Sequence, residues 1–400
     1  MKYTSSKRAD KKVEEDLGRI KEIIVKELNP ISIILFGGFG RGEGTYEVVN
    51  NEVVPLNDYD FYVVTKKKIP EEKIEEVGKK CSDSLGKGGG EFVEEYNKIY
   101  DKEKYFHVDL RWLDYNKLGK LKRINRTYEL KHGSTVIYGE DVRKKINEIK
   151  VPVSEAFRYL TNPVGHLLLC MDERRLKGRF MKDEKFYLLH HAIKTYLALA
   201  SSLIISEGKF EPNYRETVKE CKRLYKKKFP GLIKKIEWAL DLKLSPKNRK
   251  TKNIRKLWFE TIKDLTFVLK YISKKNFGIK SEGVIDLTKR LYKKLPYIYF
   301  APYLPLPRPL TRIAFPSQYI LNLLYFKRTG QVKSLLRWKD AGLRITLAGF
   351  LLLNALDDKE VLNEAYKYIK TFSPIKSKTW GGLREGVLYG FDKYYSQKII

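Results

Sequence analysis

Val13, Leu17, Ile20, Ile24 and Leu28 recur every three or four positions, so residues 9–28 predict an amphipathic helix that ends near Asn29-Pro30. The pattern then changes period. Ile31–Phe36 is a short apolar run rich in β-branched residues and closed by Gly37-Gly38, which predicts a buried strand. Tyr46–Val54 reads as two short strands around an Asn50-Asn51 turn, the pattern of a β-hairpin. Asp58–Val64 and Tyr105–Trp112 alternate in the manner of strands, and Thr135–Tyr138 predicts one more. Between them Glu71–Cys81 predicts a helix and Lys87–Gly90 a flexible loop that can act as a hinge.

After Val151-Pro152 the helical period takes over. Helices are predicted over Glu184–Ile205, Glu216–Phe229, Asn253–Lys274, Val284–Lys294, Ser317–Lys327, Leu343–Leu356 and Lys359–Thr371, with a last one near the C-terminus. Pro296–Pro316 holds six prolines in 21 residues and is the best internal boundary. The residues thus predict an α/β region followed by an all-helical one, divided as 1–150, 151–295 and 296–400.

Hydrophobic residues at 42% and charged residues at 32% exclude a chain disordered by composition, and 400 residues are enough for two or three cores. Cys81, Cys170 and Cys221 stand far apart, which argues against a disulfide scaffold, a disulfide-linked partner or a thiolate zinc site. The first twenty residues have no apolar stretch of signal-peptide type, and runs such as Tyr196–Ile205 and Leu347–Leu356 read as too short to span a bilayer. The expectation is a soluble, cytoplasmic protein with no membrane partner.

Charge changes the picture further. Residues 1–150 carry 30 Lys and Arg against 27 Asp and Glu, whereas residues 151–400 carry 50 against 22, so nearly all of the +31 lies in the helical part. Basic runs interleaved with aromatics occur at 222–229, 248–259 and 289–297. An anionic partner such as RNA would use such a surface. A Lys-rich surface that serves only stability and solubility is the other reading, and composition leaves both open.

Three features of the first region carry chemistry. A strand runs into the glycine stretch Gly37–Gly44 (GGFGRGEG), where a backbone without side chains can approach phosphate. Asp58 and Asp60 open the next strand, and a period of two puts them on one face with Tyr62, opposite Tyr59, Phe61 and Val63. Asp109 lies in YFHVDLRW with His107 and Arg111 on its face as supporting groups. Three carboxylates converging beside apolar strands call for a cation, and oxygen-only ligation suits Mg²⁺.

Strand, glycine pair, DxD and a later single Asp, in that order, resemble the nucleotidyltransferase superfamily of DNA polymerase beta, over roughly residues 31–112. The glycine stretch is especially similar to that of the PII uridylyltransferases. The resemblance implies an α+β fold: a small mixed-sheet nucleotidyltransferase domain followed by an all-helical C-terminal region. It implies that Gly37 and Gly38 contact the triphosphate, that Arg41 faces phosphate, and that Asp58 and Asp60 bind both metal ions. Asp109 would bind the catalytic one and help deprotonate the acceptor. The chain departs from the pattern in the 20 positions between Gly38 and Asp58, lengthened by the 46–54 hairpin, and in Asn57, where relatives often have Ser. His190-His191 is followed by Ala192, so the His-Asp dyad of a full PII-regulating enzyme is missing.

The implied function is Mg²⁺-dependent transfer of an NMP from an NTP to an acceptor hydroxyl, the acceptor being RNA (tRNA included) or a small molecule. The alternative is a catalytically inactive RNA-binding protein on the same scaffold.

Overall fold

The computed structural model describes residues 2–56, 58–86, 108–245, 253–300, 316–336 and 341–395. It is α+β, with a four-stranded mixed sheet in the N-terminal part and helices after it. In chain order the first part comprises α1 (Lys7–Leu28), β1 (Ser32–Phe36), β2 (Tyr46–Val49), β3 (Glu52–Pro55), β4 (Tyr59–Thr65), α2 (Glu71–Ser84), β5 (Val108–Asp114), α3 (Asn125–His132) and β6 (Thr135–Gly139). The Ser6 side chain accepts from the Ala9 amide at the start of α1, and Asn29 ends the helix in the left-handed region just before Pro30.

The sheet order is β5-β4-β1-β6, with β1 antiparallel to both β4 and β6, and β5 parallel to β4. Strands β2 and β3 form a separate hairpin, whose turn residues Asn50 and Asn51 both hold positive φ, as a two-residue turn of matching twist requires. Alternation along the strands sorts the two faces. Ile33, Leu35, Tyr59, Phe61, Val63, Val108 and Leu110 pack against α1 and α2. Ile34, Phe36, Tyr62 and Val64 point the other way, onto Leu118, Leu130, Val142 and Ile146. Residues 105–107 of the expected third strand and the 87–90 loop lie outside the described residues.

Contacts divide the described residues into two compact units, one of 2–152 with 208–245 and one of 153–207 with 253–395. This differs from the predicted three regions. Helices Tyr214–Tyr225 and Pro230–Leu244 belong with the sheet, because Glu43 and Thr45 bond to them and Phe210 packs edge-on against Tyr128. Their apolar spacing is the same as that of the other helices, so it does not say which unit they join. The boundary expected at 296 also falls inside a helix, since Val284–Phe300 continues past Pro296; residues 301–315 lie outside the described residues.

The second unit is all-helical. Its core tryptophans are held by their ring N–H groups, Trp258 donating to the Leu167 carbonyl at 2.8 Å and Trp380 to that of Leu352 at 2.9 Å. Helix Glu155–Leu169 was hidden in the sequence by Pro163, which it carries in its interior. Within Lys182–Ile205, the stretch 184–205 is long and apolar enough to cross a membrane, which corrects the reading from Tyr196–Ile205 alone; 83% of its most apolar window is buried inside the protein.

Candidate active site

The register of the sheet brings the predicted elements together. Phe36, the last residue of β1, faces Asp60 on β4, and Asp60 faces Asp109 on β5. These three residues form one row across three strands, at the end of β1 where the glycine stretch leaves the sheet. Residues facing each other across neighbouring strands lie about 5 Å apart, so the Asp60 and Asp109 carboxylates are lateral neighbours. Phe36 and Tyr62 stack at 4.5 Å beside them and supply an apolar wall. Asp58 lies one residue before β4 and is half-buried. Asn57 and His107 lie outside the described residues.

Asp109 is held by its strand neighbour on the same face. Arg111 donates to Asp109 Oδ2 from Nε at 2.9 Å and from Nη2 at 2.6 Å, while its guanidinium sits 5.7 Å from the centre of the Phe36 ring. Burial alone would lower the pKa of Arg111, but the adjacent Asp109 outweighs it and raises the value, so the arginine stays charged.

Gly37 explains the start of the glycine stretch. It has φ +71°, and a Cβ placed there would sit 2.3 Å from Asp60 Oδ2. A side chain at 37 would be strained, and it would also displace the carboxylate. Gly37→Ala should therefore cost about 1–2 kcal/mol in a urea melt and reduce turnover by more than that loss of folded protein explains. Unimpaired turnover would show that Asp60 does not need its observed place. Gly38 is half-buried and accepts the Glu43 amide at 2.8 Å. Gly44 serves packing, since a Cβ there would lie 2.1 Å from the Phe39 ring.

Arg41, which the resemblance implies faces phosphate, is held by protein groups. Its side chain is only 9% exposed, lies 3.8 Å from Glu43 and 3.5 Å from Glu129, and stacks over Tyr214 at 5.0 Å. Those partners make it a brace between the glycine stretch, α3 and helix Tyr214–Tyr225. The sequence reading missed Glu43 altogether. This buried carboxylate accepts the backbone N–H groups of Tyr214 at 2.8 Å and Arg215 at 2.9 Å, and so caps that helix. The available signal was an acidic residue inside a glycine-rich stretch.

Asp60 and Asp109 offer oxygen donors only, the chemistry a hard cation takes, and the bare Cα of Gly37 leaves room for the Asp60 carboxylate beside it. Among the described residues no group of three or more His, Cys, Asp or Glu side chains is arranged to hold a metal ion. The structure thus pairs two of the three predicted carboxylates and sets Asp58 at the mouth of the strand. No protein-family model matches the chain, and no curated protein is significantly similar to it.

Proposed function

We propose that the chain is a Mg²⁺-dependent nucleotidyltransferase that moves an NMP from an NTP to an acceptor hydroxyl and releases pyrophosphate. The observation that carries this is the in-register pair Asp60–Asp109, with Asp60 seated against Gly37 of a glycine turn. Asp60 and Asp109 are the residues proposed to hold the ion, with Asp58 the third carboxylate that the resemblance implies; the ion would neutralise phosphate charge and acidify the acceptor hydroxyl. Gly37 and Gly38 are the residues proposed to meet the triphosphate. Arg111 keeps Asp109 oriented on its strand, and Asp109 is the group proposed to take the acceptor's proton.

The Asp109–Arg111 pair also supports a second reading, because a carboxylate already neutralised by an arginine suits an inactive scaffold that only binds RNA. Incubating the protein with each α-labelled NTP, Mg²⁺ and a cell extract separates the two. The proposal expects Mg²⁺-dependent transfer of label from at least one NTP to a discrete acceptor fraction. Absence of transfer from all four would remove the catalytic reading.

A further inference from the structure

Helix Ile254–Phe277 of the second unit has two faces of different character. One is core: Trp258, Thr261, Ile262, Leu265, Val268, Leu269 and Ile272 are buried. On the other, Arg255, Lys256, Phe259, Lys263, Phe267, Lys270 and Lys274 fall within roughly a third of the helix circumference at 100° per residue. Two of these are exposed phenylalanines, Phe259 at 36% and Phe267 at 43% of full exposure. The stripe runs about 28 Å from Arg255 to Lys274 at 1.5 Å per residue.

The cations on this stripe differ from three on helix Tyr214–Tyr225. On helix Tyr214–Tyr225, Lys219, Lys222 and Arg223 are committed to Glu216, Glu237 and Glu220. Among the described residues Lys263, Lys270 and Lys274 have no carboxylate partner. Glu260, at the margin of the stripe, lies 4.0 Å from Lys256. Asp264 lies further round and accepts the Tyr196 hydroxyl at 2.9 Å. Arg255 sits 5.5 Å from the centre of the Phe259 ring. Cation and ring thus alternate at four-residue steps from Arg255 through Phe259 and Lys263 to Phe267.

We propose that this stripe binds single-stranded RNA, the lysines meeting phosphates and the two phenylalanine rings stacking bases. Rings exposed between cations find stacking partners in unpaired bases, whereas a duplex hides its base faces and an acidic protein surface offers none. The proposal deepens the nucleotidyl-transfer reading by naming the acceptor class, and rests on that reading only for the acceptor role.

The test is fluorescence anisotropy of a labelled single-stranded RNA of mixed sequence with the full chain and no NTP, over a salt series. Reversing Lys263 and Lys274, both exposed, and Lys270, half-buried, to Glu should weaken binding at least tenfold. It should also flatten the salt dependence by about two, since each phosphate contact on a single strand contributes about 0.7 to the slope. Phe259→Leu with Phe267→Leu keeps apolar bulk but removes the rings; affinity should fall about fivefold or more per ring with the salt slope unchanged. The proposal is overturned if wild type does not bind, if either variant binds as wild type does, or if RNA duplex or poly-glutamate competes as well as single strands. Because no NTP is present, RNA binding that survives a failure of nucleotidyl transfer would leave the stripe standing and remove only the catalytic reading. Intact transfer without RNA binding would do the reverse.

Discussion

Asp60→Asn should lower NTP turnover roughly a thousandfold, because it removes one charge from the pair proposed to clamp a divalent ion, an interaction worth several kcal/mol. The same substitution should leave the fold intact and even stabilise it. Asp60 and Asp109 face each other across β4 and β5, and like charges placed so oppose pairing by about 0.2–1 kcal/mol. Asparagine keeps the side chain's size in the space beside Gly37. A carboxylate that only braces the sheet would give the opposite result, a loss of stability with activity falling in proportion. Melting temperature should rise with added Mg²⁺ in the wild type, since an ion that binds the folded state stabilises it by mass action. That rise should shrink or vanish in Asp60→Asn. Turnover assays and melts with and without Mg²⁺ measure all of this, and wild-type turnover in the variant would end the catalytic assignment.

The strands and the long helices could be read from the sequence because each element's burial is one-sided, and one-sided burial writes a period into the chain. Alternation placed Tyr62 with Asp60 and set Phe61 on the opposite face, as the two packed faces of the sheet show. Alternation carries no information about register. That Asp60 lies opposite Asp109, and not opposite a residue two positions along, depends on how β5 docks beside β4 after a connection of some forty residues. Arg41 illustrates the same limit at a single side chain. Its motif position pointed towards phosphate, yet its neighbours Glu129 and Tyr214 come from elements far along the chain and enclose it. Pro163 illustrates another: a residue that usually breaks a helix is carried within one, where packing of the buried face on both sides outweighs its local cost.

Glu43 was invisible for the same reason, since the amides it caps lie 171 and 172 positions away. Its replacement should give the largest loss of stability. The carboxylate is fully shielded from solvent, accepts two backbone N–H groups at the start of helix Tyr214–Tyr225, and stands 3.8 Å from a guanidinium that is itself 9% exposed. Glu43→Ala leaves those amides short of an acceptor and leaves Arg41 buried beside Glu129 without the carboxylate at 43. Removing one partner of a buried charge pair costs about 3–5 kcal/mol. Glu43→Gln keeps the volume and one oxygen for the amides while losing the charge, and should cost about 1–3 kcal/mol. The loss should be local before it is global. Hydrogen exchange at the first-turn amides of helix Tyr214–Tyr225 should accelerate at denaturant concentrations that leave β1 and β4 protected, because Glu43 ties that helix to the glycine stretch and makes no strand pair of its own. Urea melts of both variants and exchange at 214–217 test this. An alanine variant within about 1 kcal/mol of wild type, below the range for a buried pair, would mean that the helix is anchored chiefly by other contacts such as Thr45 Oγ1 to the Lys243 carbonyl at 3.0 Å.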